Sequence, residues 1–400
     1  MNRTQRMKNK IASIAASMRD EITEFVREIV RIPSLSGEEG EVIERIKEEM
    51  IGVGYEEVSV DPMGNLVGRI GSGARILAMD GHCDTVGVGN MDTWEVDPYA
   101  AELRDGVIFG RGAVDQKGGL ASAIYAGRII REIGVPEDLS LMVVASVYEE
   151  EVEGLSWQYI IRESGIRPEA VLLTEPTDMR ICIGQRGRLE MKVMVSGISS
   201  HGSAPDRGVN AIYRIAPIIQ EVEKLHERLE GNSILGKGSI TVTDVRSTSP
   251  CLCAVADSST IHLDRRLTEG ETVESAVRQV ENLPSIGISE AVVTVPEYEI
   301  KSHTGFVYPI EACYPMWIMD QSNPLVTLAS AAFLAQFGRE PDVGVWDFST
   351  NGVATKGMFD IPTIGFGPGE EKYAHTPEDQ VKVDDLVEAM ELYAAFVLSW

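Results

Sequence analysis

Histidine and carboxylate side chains follow an apolar stretch early in the chain, and their spacing suits metal binding. Residues 76–79 predict a short buried strand, and His82 and Asp84 come soon after it. A spacing of two places both side chains on one face of an extended chain. A histidine that binds a metal needs an acceptor at its second ring nitrogen, and a carboxylate can be that acceptor. The pair alone is equally typical of a structural histidine.

Further acidic residues lie where predicted strands end. Asp115 occupies a glycine-rich turn before a predicted helix, Glu149 and Glu150 follow one apolar run, and Glu175 follows the next. Ligands collect at the carboxyl ends of parallel strands, so we expect these acids to converge. The alternative for the acids between 149 and 153 is a solvated loop.

Together with His375, these positions form a candidate ligand set for two divalent ions. One bridging carboxylate and two terminal ligands per ion leave room for a shared water. Three carboxylates, two dications and one hydroxide have no net charge, whereas the acids alone repel one another in a cleft. A set without thiolate favours zinc, with cobalt or manganese as substitutes. The five candidate ligands are His82, Asp115, Glu150, Glu175 and His375. Glu149, adjacent to a ligand, is the candidate general base for amide hydrolysis.

Composition limits the classes of protein and partner. The chain has 400 residues, enough for two domains, and its formal net charge of −26 argues against a nucleic-acid partner. Its five cysteines are dispersed and form no Cys-x-x-Cys pair, which favours a reducing, cytoplasmic compartment. No segment approaches the roughly 18 apolar residues that a membrane span needs, so we expect no membrane partner.

The order of predicted elements indicates an α/β fold with an inserted domain. Strands and helices alternate through residue 180, which predicts a mostly parallel sheet sandwiched by helices. Between residues 185 and 302 the order becomes strand, helix, strand, strand, helix, strand, which predicts a ferredoxin-like α+β domain. The predicted catalytic domain therefore comprises residues 1–184 and 303–400, and residues 185–302 form the insertion.

These motifs resemble those of the M20 family of dinuclear metallohydrolases. That family includes acetylornithine deacetylase, succinyl-diaminopimelate desuccinylase and glutamate carboxypeptidase. The resemblance covers nearly the whole chain and keeps the family's motif order. Its motifs are residues 82–86, 110–119, 149–150, 174–176 and 374–379. Within the family, residues 181–188, 203–208 and 348–352 resemble most the branch of selenium-metabolism-linked hydrolases.

The resemblance implies a zinc-peptidase-like catalytic domain whose inserted domain is a lid that forms a homodimer. It implies hydrolysis of a small N-acyl amino acid or dipeptide-like substrate by a metal-bridged hydroxide, with a glutamate as general base. Asp84 supports the metal site, and His201 matches the histidine that enters the partner subunit's site and stabilises the oxyanion. A cis peptide between Asp115 and Gln116 is also implied.

Substrate contacts are carried over from the resemblance with two departures. Arg266 matches the relatives' lid arginine, and Ser349, Thr350 and Asn351 are the expected contacts from a second loop. Cys253, however, stands where relatives carry a substrate-binding asparagine. The loop that follows residue 348 lacks the relatives' arginine, so the N-acyl amino acid substrate does not follow directly.

Several alternatives remain open at this point. The base and ligand are Glu149 and Glu150 in the favoured register, and Glu150 and Glu151 in the other. The same site could act as a carbamoyl-amide (ureido) hydrolase in catabolism of a nitrogen-rich small molecule. A non-catalytic binding protein on this fold would lack a ligand or the base, and none is missing.

Overall fold

The computed structural model describes residues 3–231 and 234–400. Its α-helices are α1 (Arg3–Ser17), α2 (Arg19–Val30), α3 (Gly40–Val53), α4 (Gly118–Ile133), α5 (Leu155–Arg162), α6 (Ala211–Arg228), α7 (Val273–Glu281), α8 (Pro284–Ser289), α9 (Pro324–Phe337) and α10 (Val383–Val397). In the described part of the chain, none of them is long and apolar enough to cross a membrane.

The strands form a large central sheet and smaller ones. They are β1 (Glu57–Val60), β2 (Leu66–Ile70), β3 (Arg75–His82), β4 (Glu102–Arg104), β5 (Val107–Phe109), β6 (Leu139–Ser146), β7 (Ala170–Leu173), β8 (Ile181–Gln185), β9 (Gly187–Ser196), β10 (Ser239–Thr248), β11 (Ser258–Leu267), β12 (Val292–Thr294), β13 (Glu297–Lys301), β14 (Val307–Glu311), β15 (Cys313–Tyr314), β16 (Trp317–Ile318), β17 (Val343–Trp346), β18 (Thr363–Gly365) and β19 (Gln380–Lys382).

The central sheet has the strand order β1-β2-β6-β3-β7-β18-β8-β16, with β17 also paired to β8. Its four central strands, β6, β3, β7 and β18, run parallel to one another. Every residue of β6 and β7 is buried, which requires both faces of the sheet to be covered. The predicted α/β sheet is therefore confirmed, with antiparallel pairs at its edges.

The second sheet has the order β10-β11-β9-β12, and all of its strand pairs are antiparallel. Along the chain its elements follow as β9, α6, β10, β11, α7 and β12, which is the predicted ferredoxin-like order. Alternate residues of β9, among them Leu189, Met191 and Val193, are buried in a hydrophobic cluster separate from that of the central sheet. We call residues 187–295 the lid.

The chain passes between the two sheets at closely spaced points. One residue, Arg186, separates β8 in the central sheet from β9 in the lid. On the return, β15 pairs with β9 at Leu189, and β16 pairs with β8 at Gln185. Between lid and return lies the hairpin β13–β14, whose turn contains the predicted boundary at 302 and 303. The domain limits themselves stay a prediction.

Candidate metal centre

Four neighbouring parallel strands bring the predicted ligands to one edge of the central sheet. His82 is the last residue of β3, Glu150 follows β6, and Glu175 follows β7. The loop after β18 leads to His375. Asp115 lies in the irregular turn 113–117 before α4, where the peptide between Asp115 and Gln116 is cis, as predicted. The strand order therefore accounts for the convergence of residues that lie far apart in sequence.

The five side chains form two clusters that share Asp115. The first contains His82, Asp115 and Glu175, and the second contains Asp115, Glu150 and His375. In the first, His82 Nε2 lies 3.0 Å from Asp115 Oδ1 and 3.9 Å from Glu175 Oε1. In the second, His375 Nε2 lies 2.8 Å from Glu150 Oε2 and 3.3 Å from Asp115 Oδ2. Each carboxylate oxygen of Asp115 thus faces a different cluster.

Several acidic side chains lie close together and buried in the candidate metal centre. Burial raises the pKa of Glu175 well above its ordinary value. Burial and the neighbouring Glu175 do the same to the pKa of Glu149. Burial alone would lower the pKa of His82, but the hydrogen bond to Asp115 and the nearby acids raise it well above its ordinary value. Hydrogen bonds to Asp115 and Glu150 raise the pKa of His375 to about 10. Protons or cations must therefore neutralise these acids.

Asp84 holds the loop that follows β6. Its carboxylate accepts hydrogen bonds from the amides of Glu149 and Glu150, both at 3.1 Å, and from Ser36 Oγ at 2.7 Å. We expected this carboxylate to accept the second ring N–H of His82. Instead, His82 Nδ1 lies 2.9 Å from the main-chain oxygen of Asp84 and 3.6 Å from Oδ1. The main-chain oxygen orients the ring because the carboxylate is engaged by the loop.

Glu149 and Glu151 have different surroundings. The Glu149 side chain is buried, and its Oε2 lies 3.9 Å from His82 Nε2, although Glu149 belongs to neither ligand cluster. Glu151 is exposed and does not line the cavity described next. These positions suit Glu149 as a candidate base beside the candidate ligand Glu150.

The centre opens into a cavity of about 360 Å³. Asp115, Glu149, Glu150, Glu175 and His375 form its acidic wall, whereas Arg188 and Arg266 reach it from the lid. Its other lining residues are Glu153, Phe348, Ser349, Glu371 and Ala374. A volume of this size fits a small molecule.

The structure brings only part of the predicted substrate set to this cavity. Arg266 and Ser349 line it, whereas Thr350 and Asn351 are buried and do not. The Thr350 hydroxyl donates to Gln185, and the Asn351 amide donates to Asp80 Oδ2 at 2.8 Å. Both side chains are therefore engaged in tertiary contacts, which corrects the expectation that they face substrate.

Arg188 is a cavity residue that sequence patterns did not single out. It lies directly opposite Arg266 in the β9–β11 pair. Its Nη2 lies 3.1 Å from Glu153 Oε2, and its guanidinium stacks 4.5 Å from the Tyr314 ring centre. Its place at the cavity could have been predicted from the strand register, because pairing β9 with β11 places both arginines at one end of the lid sheet.

His201 lies away from the cavity of its own chain. It occupies an exposed turn of the lid, where its Nδ1 lies 2.7 Å from Ser203 Oγ, and it is not a lining residue. Cys253 lies beside this turn, and its main-chain oxygen accepts a hydrogen bond from Gly202 N at 2.7 Å. The chain alone therefore does not bring His201 to the candidate ligands.

Comparisons with known proteins agree with this architecture. The family model described as Peptidase family M20/M25/M40 matches residues 78–399. The chain is 48% identical over 380 residues to Uncharacterized protein YgeY of Escherichia coli strain K12, covering 95% of this chain and 94% of that protein. It is 26% identical over 405 residues to a succinyl-diaminopimelate desuccinylase of Rhodospirillum centenum, covering 94% of this chain and 96% of that protein.

Solved structures share the fold at lower sequence identity. Aminopeptidase PepT from Bacillus cereus superposes with a TM-score of 0.71 at 21% identity, covering 95% of this chain and 98% of that one. The Bacillus subtilis YXEP protein, a dinuclear metal binding peptidase from the M20 family, gives a TM-score of 0.69 at 13% identity, covering 96% and 98%. The narrower resemblance to the selenium-linked branch stays a prediction.

Proposed function

From its membership of the M20/M25/M40 peptidase family, which makes the chain a metal-dependent hydrolase of amide or peptide bonds, we propose a more specific function. The protein is a dinuclear amidohydrolase that acts on a small N-acyl amino acid or dipeptide-like substrate. The observation that carries the proposal is the shared carboxylate. Asp115 directs one oxygen toward His82 and Glu175 and the other toward Glu150 and His375.

These residues fit two divalent cations, most simply zinc. Imidazole and carboxylate are ligands that Zn²⁺ accepts, and two dications would neutralise the acids gathered at the centre. When bound, such ions polarise the amide carbonyl and lower the pKa of the attacking water. His82 and His375 would be terminal ligands on opposite sides of Asp115.

Glu149 is the proposed general base. Its carboxylate lies beside the candidate ligands at the cavity wall, where burial raises its pKa well above the ordinary value. A carboxylate with a raised pKa accepts a proton from the attacking water more completely and passes it to the leaving nitrogen. The amides of Glu149 and Glu150 are fixed by Asp84, so base and ligand keep their separation. The exposure of Glu151 supports this register over the alternative.

The homodimer and the role of His201 belong to the same proposal. His201 is exposed on the lid and away from its own cavity, so its assignment as oxyanion donor requires a second subunit. Mixing His201→Ala protein with Glu149→Gln protein should restore activity, since a mixed dimer contains one site with both residues intact. Subunit exchange without recovered activity would contradict the assignment.

Five free cysteines support a reducing, cytoplasmic location.

The experiment that tests the function combines metal analysis with a substrate screen. Protein stripped by a chelator and then titrated with ZnSO₄ should bind two ions per chain and gain hydrolytic activity. N-acyl amino acids, dipeptides and N-carbamoyl amino acids are the three arms, and the last tests the ureido alternative. Binding of two ions with no turnover in any arm would favour the non-catalytic alternative. Binding of a single ion would contradict the shared carboxylate.

A further inference from the structure

Asp379 is a buried carboxylate to which neither metal binding nor proton transfer assigns a role. Its side chain is 0% exposed and lies beyond His375 on the same loop. Its Oδ2 accepts hydrogen bonds from Gly112 N at 2.7 Å and from Arg111 Nη1 at 3.0 Å, and its Oδ1 accepts one from Val114 N at 3.0 Å. All three donors belong to the turn that immediately precedes Asp115.

Main-chain hydrogen bonds hold part of that turn, from Arg111 N to Pro98 O at 2.8 Å and from Ala113 N to Gly110 O at 3.0 Å. Gly112 has a left-handed φ of 84°, and a Cβ there would lie 2.6 Å from Thr85 Cγ2. Its amide and that of Val114 point to the Asp379 carboxylate rather than to another strand. A buried amide without an acceptor costs about 1–3 kcal/mol, so the carboxylate fixes the turn in this conformation. Asp115 is the next residue after Val114, and its position follows from that of the turn.

We infer that Asp379 is a positioning residue that fixes the loop of Asp115 relative to the loop of His375. One side chain thereby sets the separation of two candidate ligands, Asp115 and His375, that lie far apart in the sequence. Arg111 reinforces the clamp, because its guanidinium is held 5.0 Å from the Trp94 ring centre while it donates to Asp379. The inference rests on the proposed dinuclear function, in which Asp115 and His375 hold the same ion.

The test is the zinc affinity of an Asp379→Asn variant. The amide keeps the shape of the side chain but directs an NH₂ group at donors, and the main-chain bond from Gly110 N to Asp379 O at 2.9 Å is retained. Residues that orient metal ligands change affinity by about 10–100-fold when substituted, so zinc should bind weaker by about that factor. Competition with a chromogenic chelator measures the affinity, and the melting temperature of metal-free protein measures stability. Activity should return in excess zinc.

Asp61→Asn is the matched control. Asp61 is a half-buried carboxylate that accepts hydrogen bonds from turn amides, from Gly64 N at 2.9 Å and from Asn65 N at 3.0 Å, and it is a member of neither ligand cluster. It should lower the melting temperature of metal-free protein comparably while leaving zinc affinity unchanged. Equal losses of affinity in both variants, or wild-type affinity in Asp379→Asn, would overturn the inference.

A second variant covers the case in which Asp379→Asn does not fold. Arg111→Gln removes one of the donors to Asp379 and leaves the Gly112 and Val114 amides in place, so it should weaken zinc binding by a smaller factor. Wild-type affinity in this folded variant would then overturn the inference. If wild-type protein itself binds no divalent ion, the proposed function fails instead, so the two failures are distinguishable.

Discussion

Replacing Glu149 by glutamine tests the centre most directly. The side chain is buried and outside both ligand clusters, so the substitution removes a proton acceptor without removing a ligand. General-base catalysis contributes about 10²–10⁴-fold, or roughly 3–5 kcal/mol of barrier, and we expect kcat to fall by that factor. Burial raises the pKa of Glu149 and so favours its neutral form in the metal-free protein, and glutamine resembles that form in shape and charge. The fold should therefore be unaffected.

The assay measures kcat, KM and bound zinc on the same preparations. Glu151→Gln is the matched control, since it is the same chemical change two positions along the loop on an exposed side chain. It should retain wild-type kcat and zinc content. Glu149→Gln should retain zinc and lose kcat with little change in KM, because the base acts in the transition state.

Two outcomes would refute the reasoning. Wild-type kcat in Glu149→Gln would show that another group takes the proton. Loss of zinc from Glu151→Gln together with retained zinc and lost kcat in Glu150→Gln would establish the alternative register, with Glu150 as base and Glu151 as ligand.

Three further predictions follow from contacts at and near the centre. Asp115→Ala should reduce bound zinc at both positions, whereas Glu175→Ala should reduce it at one, as measured by elemental analysis. Equal numbers of zinc ions per chain in the two variants would contradict the shared carboxylate. Metal-free protein should become less stable to urea as pH rises from about 5 to 8. Burial and then Asp84 raise the pKa of Glu39 to about 7, so over this range the folded state keeps a proton that the unfolded state has lost. Glu39 alone should lower the free energy of unfolding by on the order of 3 kcal/mol, and stability that rises over this range would contradict the prediction. Thr350→Val should lower stability by about 1 kcal/mol and leave KM unchanged, since Thr350 hydrogen-bonds Gln185 away from the cavity; a large rise in KM would return it to the substrate set.

Sequence patterns predicted the elements that are buried throughout. The continuous apolar runs that precede Glu149 and Glu175 located β6 and β7. The candidate ligands at strand ends were predictable because the parallel order of β6, β3 and β7 carries the residues that follow these strands to one edge of the sheet.

Contacts decided by loop direction were not predictable. The Asp84 carboxylate binds the Glu149 and Glu150 amides because the loop after β6 folds back over it, and spacing along the chain does not encode that fold. Asn351 is drawn inward by Asp80, a partner far away in sequence. Arg188 acquires its place in the cavity only through the register of β9 with β11.

One residue, Arg186, separates β8 from β9, and the return crossing at β15 and β16 lies beside it. A rigid-body tilt of the lid would therefore have its hinge close to Arg186. Ten residues of β9 extend about 33 Å at 3.3 Å each, so a tilt of about 10° at that hinge would move the far end of the strand by nearly 6 Å. Arg188, next to the hinge, would scarcely move, so such a tilt would displace the far end of the lid much more than the residues that line the cavity.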